Sequence, residues 1–181
     1  LAEESRLMPH LHISAQHGDD LTLRRMKRRH LGRDIIRFCN EARRRRPDVA
    51  FGADIIAGFP TESRSAHRQT MSMIKDAGIS YLHVFPYSPR PSTPATDMPQ
   101  LDGAVIKQRA GELRELGKAQ LHQHLETVIG TTDRMLVESG NVGHGRNFAK
   151  IRLDQPFVPA STLVDVKIYR RNQDMLLAYA V

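Results

Sequence analysis

The sequence predicts an α/β fold in which parallel βαβ units are followed by a small antiparallel β-barrel. Two observations predict it. Between Met8 and Tyr87, short apolar or alternating segments take turns with helix-length amphipathic ones, which is the order of a parallel sheet or barrel. After Gly130 the hydrophobic period changes from 3.6 residues to 2. The 181 residues are enough for one medium domain and one small one, with a boundary expected between residues 1–129 and 130–181.

In Pro9 to Gln16, Leu11 and Ile13 fall on one face and His10, His12, Ser14 and Gln16 on the other, so a strand with a polar side is predicted. Gly18-Asp19-Asp20 supplies a turn with two N-cap candidates, and Leu21, Leu23 and Met26 begin a helical pattern. A second helix starts near Asp34, with Ile35, Phe38, Cys39 and Ala42 inward and Arg37, Arg43, Arg44 and Arg45 outward, until Pro47 stops it. Val49 to Gly58 is apolar except for Asp54 and suits a strand buried on both faces. After the turn Gly58-Phe59-Pro60-Thr61, Ala66, Thr70, Met73, Ile74 and Ala77 mark a helix closed by Gly78. Tyr81 to Tyr87 is the third strand, and the proline-rich Ser88 to Gln100 is a structured loop at its C-terminal end. A long helix runs from near Asp102 to Gly130 with Ile106, Ala110, Leu113, Leu121, Leu125 and Val128 on its apolar side. Met135 and Val137, Ile151 and Leu153, and Val164, Val166 and Ile168 then alternate with polar residues, so Thr131 to Val181 reads as a barrel of roughly five short strands.

Composition excludes several classes. Apolar runs such as Ile55-Ile56-Ala57 are far shorter than the roughly 20 residues that cross a bilayer. Leu1 to His10 carries Glu3, Glu4 and Arg6 where a secretory signal would be basic and then apolar, so a cytoplasmic protein with no membrane partner is expected. The single Cys39 can form neither an internal disulfide nor a thiolate cage for a metal or cluster. The net charge of +7 favours an anionic partner, and it is concentrated: Arg24 to Arg46 holds eleven basic residues against Asp34 and Glu41. The alternative for that segment is the solvated face of two helices.

In parallel α/β folds ligands gather at the C-terminal ends of the strands. The polar residues there are Ser14, Gln16, Asp54 and Tyr87, with Arg90 just beyond. Asp54 stands out, because a carboxylate in a buried apolar strand costs several kcal/mol unless paired or hydrogen-bonded, and either an ion pair or a ligand satisfies it. His10, His12 and His83 come into question as metal ligands. Without a His-Glu-x-x-His helix or a cysteine pair, no metal site is predicted, and buried, hydrogen-bonded imidazoles are expected instead. Neither a Gly-x-Ser-x-Gly elbow, a phosphate loop nor a dinucleotide fingerprint is present, and no catalytic residue is assigned.

Three blocks carry a resemblance. Ser14-Ala15-Gln16-His17-Gly18-Asp19-Asp20, Ala53-Asp54-Ile55-Ile56-Ala57-Gly58-Phe59-Pro60-Thr61-Glu62 and His83-Val84-Phe85-Pro86-Tyr87-Ser88-Pro89-Arg90-Pro91-Ser92-Thr93-Pro94-Ala95 resemble the radical S-adenosylmethionine methylthiotransferases. Leu82 to Ser88 and Met98-Pro99-Gln100 look most like the branch that modifies threonylcarbamoyladenosine beside the tRNA anticodon. The likeness runs from Pro9 to about Gly130, and the last 50 residues resemble that family's TRAM domain, an OB-like RNA-binding barrel.

The resemblance implies the end of a partial TIM barrel followed by TRAM, and replacement of an adenine C2 hydrogen by a methylthio group through a deoxyadenosyl radical. It implies [4Fe-4S] clusters held by cysteines that this chain lacks, with Leu1 falling in mid-barrel, so the chain reads as the C-terminal portion of a longer enzyme, inactive alone. Its partners are then the N-terminal part of the same polypeptide and a tRNA anticodon stem-loop. Carried over residue by residue, S-adenosylmethionine draws on Ser14, Gln16, Asp54, Ile56 and Gly58, the substrate adenosine on Tyr87 and Arg90, and tRNA on Arg134, Arg146, Lys150, Arg152, Lys167, Arg170 and Arg171. The sequence departs from the family at His17, usually serine, at Ala15, usually larger, and at Ser92, usually glycine. Alternatives are a non-catalytic RNA-binding protein, or the methylthiotransferase of isopentenyladenosine or of a ribosomal protein.

Overall fold

A computed structural model describes residues 3–181, so the position inferred for Leu1 lies outside the described residues. Three parallel strands, β1 (His10–Gln16), β2 (Ala50–Ala57) and β3 (Tyr81–Pro86), form a sheet in that order. Helix-sized crossovers join them: α1 (Asp20–Arg25) with α2 (Gly32–Arg45), then α3 (Arg64–Asp76). Short polar side chains start these helices, at Asp19 as the Gly18-Asp19-Asp20 turn predicts. Asp19 accepts from the Thr22 amide, Ser63 from the Ala66 amide, and Asp34 reaches back to the Leu31 amide.

The alternation of each strand decides its faces. Ala15, Phe51, Ala53, Ile55 and Ala57, with Leu11, Ile13, Leu82 and Val84, pack against Ile35, Cys39 and Ala42 of α2 and Met73 and Ile74 of α3. Among the described residues no helix packs over Asp54 and Ile56 on the opposite face, and both are only half-buried, whereas Ala50 and Gly52 on that face are buried, so β2 is covered on both sides only over its first half. Phe38, expected inward, is 50 % exposed, because the buried stripe of α2 narrows to Ile35, Cys39 and Ala42. Arg43, expected to face out, instead lies over the Phe51 ring at 5.1 Å and donates to the Ala77 carbonyl.

The loop after β3 contains a 3-10 turn, Pro94–Asp97, and leads to α4 (Gly103–Thr127), capped by Asp102. Helix α4 serves two cores. Ala110, Leu113 and Leu116 pack on the sheet, while Leu125, with Leu121 beside it, closes the core of a second body. That body is a closed barrel of β4 (Thr132–Ser139), β5 (Val142–Gly145), β6 (Lys150–Leu153), β7 (Leu163–Asn172) and β8 (Met175–Ala180). Its strand order is β4-β5-β6-β8-β7. Met135, Val137, Ile151, Leu153, Val166 and Ile168 point inward, as their alternation predicts. The barrel is not wholly antiparallel: β6 and β8 run parallel, which is how five strands close the ring. The α/β class with a small OB-like barrel is thus the observed architecture.

The two bodies meet through rings. Phe148, on the β5–β6 turn, stacks on His10 at 4.8 Å and lies edge-on to Tyr81. Burial lowers the titration of His10 and His124 at this junction, keeping both imidazoles neutral at pH 7, and pushes the Tyr81 phenol up.

Candidate functional site

The helix-free face of the sheet gathers the residues that period-2 alternation assigns to it: the polar His10, His12, Ser14 and Gln16 from β1, Asp54 from β2 and His83 from β3, with the apolar Ile56 and Phe85 beside them. At the C-terminal ends of the strands this face deepens into a cavity of about 480 Å³ lined by Gln16, Asp54, Ile56, Phe59, Phe85, Tyr87 and Arg90. Of the residues assigned to S-adenosylmethionine, Gln16, Asp54 and Ile56 line it, and so do the two assigned to the adenosine, Tyr87 and Arg90. Ser14 is exposed on the same face but outside the lining. Gly58 is buried beneath it. Its φ of +75° and the Ile106 side chain, 2.7 Å from where a Cβ would sit, both require glycine.

Tyr87 is held by its amide, which donates to the Ala57 carbonyl, and by an edge contact of its ring with Phe59. Its hydroxyl is buried and has no hydrogen-bond partner among the described residues. A buried hydroxyl left unpaired costs on the order of 1–3 kcal/mol, a cost that a polar group placed against it would relieve. The loop beyond is tied down by Thr93 and Thr96, whose hydroxyls both donate to the Arg90 carbonyl at 2.8 Å. Ser92 within it has φ +65°, the left-handed region, which accounts physically for a glycine preference there. Ser92→Gly is expected to raise stability by about 1 kcal/mol, read as a shift of the urea midpoint; an unchanged or lower midpoint would show that the loop carries no such strain.

Below the cavity floor sits a carboxylate that the sequence singled out only as part of a motif. Glu62, 1 % exposed at its side chain, accepts from the Gly58 amide at 2.6 Å and the Phe59 amide at 3.1 Å. Arg109 Nη1 lies 3.2 Å from its other oxygen, His67 Nδ1 3.4 Å, and His17 Nε2 3.8 Å from the first. Burial opposes its ionisation, but His17, His67 and the charge of Arg109 outweigh it and hold the carboxyl down at about 2. His17 therefore lies under the site, accepting from the Asp19 amide, and Ala15 lies in the core; neither departure from the family touches the cavity.

Asp54 meets two imidazoles. His12 Nε2 is 2.9 Å and His83 Nδ1 3.4 Å from the same oxygen, Oδ1. The expectation of buried imidazoles fails here, since the His12 and His83 side chains are 35 % and 58 % exposed on the helix-free face. His10 is half-buried, with Nε2 unpaired. The one thiol, Cys39, is fully buried against the sheet, and burial pushes it up to about 11 against the opposing charge of Arg43. It does not fit a cluster ligand, which must be an accessible thiolate.

The basic segment borders the cavity mouth. Arg25, Lys27 and Arg28 flank Gln16 and Ile56, and Arg25 is fixed by donating to Thr61 Oγ1 at 2.6 Å. Elsewhere in the segment Arg37 pairs with Asp34, and Arg44 and Arg45 with Glu41.

On the barrel the seven assigned cations divide. Arg134 is paired with Asp165, Arg146 with Asp133 and Arg171 with Glu126. Lys150, Arg152 and Arg170 are exposed, and Lys167 is half-buried. Arg152 and Arg170 both sit opposite Leu177, on β6 and β7 either side of β8, and Lys167 sits opposite Tyr179. Tyr179 stacks with Tyr169 at 6.1 Å, both exposed. This pair escaped the sequence reading because a register shift between Ile168 and Arg170 breaks the alternation at Tyr169.

No protein-family model matches the sequence. Individual proteins do. The threonylcarbamoyladenosine tRNA methylthiotransferase MtaB of Rickettsia prowazekii is 48% identical over 155 residues, 86% of this chain and 37% of that protein. The tRNA-2-methylthio-N(6)-dimethylallyladenosine synthases of Paracoccus denitrificans and Neorickettsia sennetsu are 33% and 32% identical over 92% and 96% of the chain. The chain spans little more than a third of the length of these relatives. Over that span, the chain belongs to the radical S-adenosylmethionine methylthiotransferase family.

Proposed function

We propose that this chain is the C-terminal part of a cytoplasmic tRNA methylthiotransferase acting on C2 of N6-threonylcarbamoyladenosine next to the anticodon. The observation that carries the proposal is the convergence, in one cavity, of Gln16, Asp54, Ile56, Tyr87 and Arg90, with the Tyr87 hydroxyl awaiting a partner. S-adenosylmethionine, with its charged and apolar parts, fits this mixed cavity, and together with clusters held by the rest of the polypeptide it would supply the radical and the methyl group. The chain's own residues bind and orient. Gln16 and Asp54 offer hydrogen-bonding groups, Ile56 and Phe59 an apolar wall, and Tyr87 and Arg90 face an adenosine entering between β3 and the Pro94 turn. The 48% identity to an enzyme named for threonylcarbamoyladenosine, against 32–37% for the dimethylallyladenosine synthases, supports the choice of substrate.

The outer face of β6, β8 and β7 supports RNA binding, because exposed cations beside stacked tyrosines offer both phosphate contacts and a base-stacking surface. Titration with an anticodon stem-loop at several salt concentrations tests this. Arg152→Gln with Arg170→Gln is expected to reduce the slope of log K against log salt by about 2, whereas Arg146→Gln, whose cation is occupied by Asp133, changes it less. Equal slopes for all three proteins would remove this face from the RNA interface. Binding without turnover in the longer polypeptide would favour the non-catalytic RNA-binding alternative.

A further inference from the structure

His12, Asp54 and His83 come from three adjacent strands, and one ligand atom from each lies within 4.8 Å of the others. The geometry points to a divalent-cation site of the zinc type on the helix-free face, made by these three side chains, with Asp54 shared between it and the cavity described above. Two imidazole nitrogens and one carboxylate oxygen form a donor set that zinc accepts when one coordination position stays open. Donors bound at about 2.0–2.2 Å stand roughly 3.3–3.6 Å apart in a tetrahedral shell. The 3.4 Å from His83 to Asp54 already has that spacing, while His12, hydrogen-bonded to Asp54 at 2.9 Å, has to give up that bond and move out by a few tenths of an ångström to share the cation.

The backbone makes room for it. His12 is in register with Gly52, and a Cβ at Gly52 would sit 2.6 Å from His12 Nδ1. The missing side chain lets the imidazole lie across β2 and reach Asp54, one pleat further along. On the other side Asp54 is in register with His83, whose ring is 4.9 Å from that of His12. The site is open to solvent, so a cation has an entry path, and Asp54 places it at the edge of the cavity.

The test uses the whole 181-residue chain, stripped with a chelator and titrated with Zn²⁺ alone against a chromophoric competitor. One equivalent is expected to bind. His12→Ala and His83→Ala are each expected to weaken binding about 100-fold or more, while His122→Ala, which removes the separate pair with Asp174, leaves it unchanged. His83→Cys with Co²⁺ should add a thiolate-to-metal charge-transfer band that the wild type, whose Cys39 is buried, does not show. His83 is mostly exposed, so this exchange keeps the fold, which far-UV circular dichroism checks. Uptake that is not stoichiometric, uptake unaffected by His83→Ala, uptake lost equally in His122→Ala, or a His83→Cys protein without the new band would each overturn the site.

Discussion

Glu62→Ala is expected to cost about 3–5 kcal/mol and to loosen the cavity floor, an effect out of proportion to one turn residue. The side chain is buried, and its removal strands the Gly58 and Phe59 amides and the Arg109 guanidinium in water-poor surroundings and leaves the His67 imidazole with Glu112 alone. Because Gly58 and Phe59 begin the turn that leads out of β2, the loss reaches the cavity wall through Phe59. The same network sets a pH dependence. Glu62 is lowered from the ordinary 4.5 to about 2, so its contribution, about 3 kcal/mol, is complete above pH 4.5 and is lost as pH falls toward 2. His67 moves the other way. Burial opposes its charge, but Glu62 and Glu112 outweigh burial and raise it, so its contribution is complete below about pH 6.5 and is lost as pH rises through the raised value. The two contributions are both complete between about pH 4.5 and 6.5. Urea midpoints measured across pH should peak in that interval for the wild type and flatten on the acid side for Glu62→Gln. A wild-type midpoint for Glu62→Ala would mean the carboxylate is dispensable to the turn.

How legible these features were depends on how local their causes are. The three parallel strands, the helices between them and the cap at Asp19 follow from alternation, amphipathic spacing and the residue at the helix start, all within a few positions of one another. The polar face was legible for the same reason: Ser14, Gln16 and Asp54 alternate with core residues on their own strands. The Glu62 network was not, because His17, His67 and Arg109 reach it from β1's exit, α3 and α4, and no local pattern links them. The meeting of His12 and His83 with Asp54 was hidden similarly: it depends on strand register and on the space above Gly52. The parallel β6–β8 pair depends on how the ring closes, and the exposure of Phe38 on how narrow a groove α2 finds, neither of which is written in hydrophobicity.

Asp54→Ala, made in a longer polypeptide that also carries the cluster-binding cysteines, is expected to lower methylthiolation by at least about 100-fold while tRNA affinity changes little. The carboxylate is 28 % exposed on a helix-free face, and its partners are two solvent-accessible imidazoles. Its removal should therefore cost the fold less than about 1 kcal/mol. The barrel cations that the proposal assigns to RNA lie on β6 and β7, and no contact with Asp54 joins them to it among the described residues. Stability, RNA binding and turnover are thus separable at this position, which few buried carboxylates allow. Asp54→Asn sharpens the comparison, since it keeps the shape and one acceptor oxygen while removing the charge. If charge on the cavity wall orients the bound cofactor, Asn should be nearly as inactive as Ala. If a single hydrogen bond suffices, Asn should recover much of the rate. Turnover equal to wild type in both variants would take Asp54 out of the site and leave it as the acceptor that orders His12 and His83.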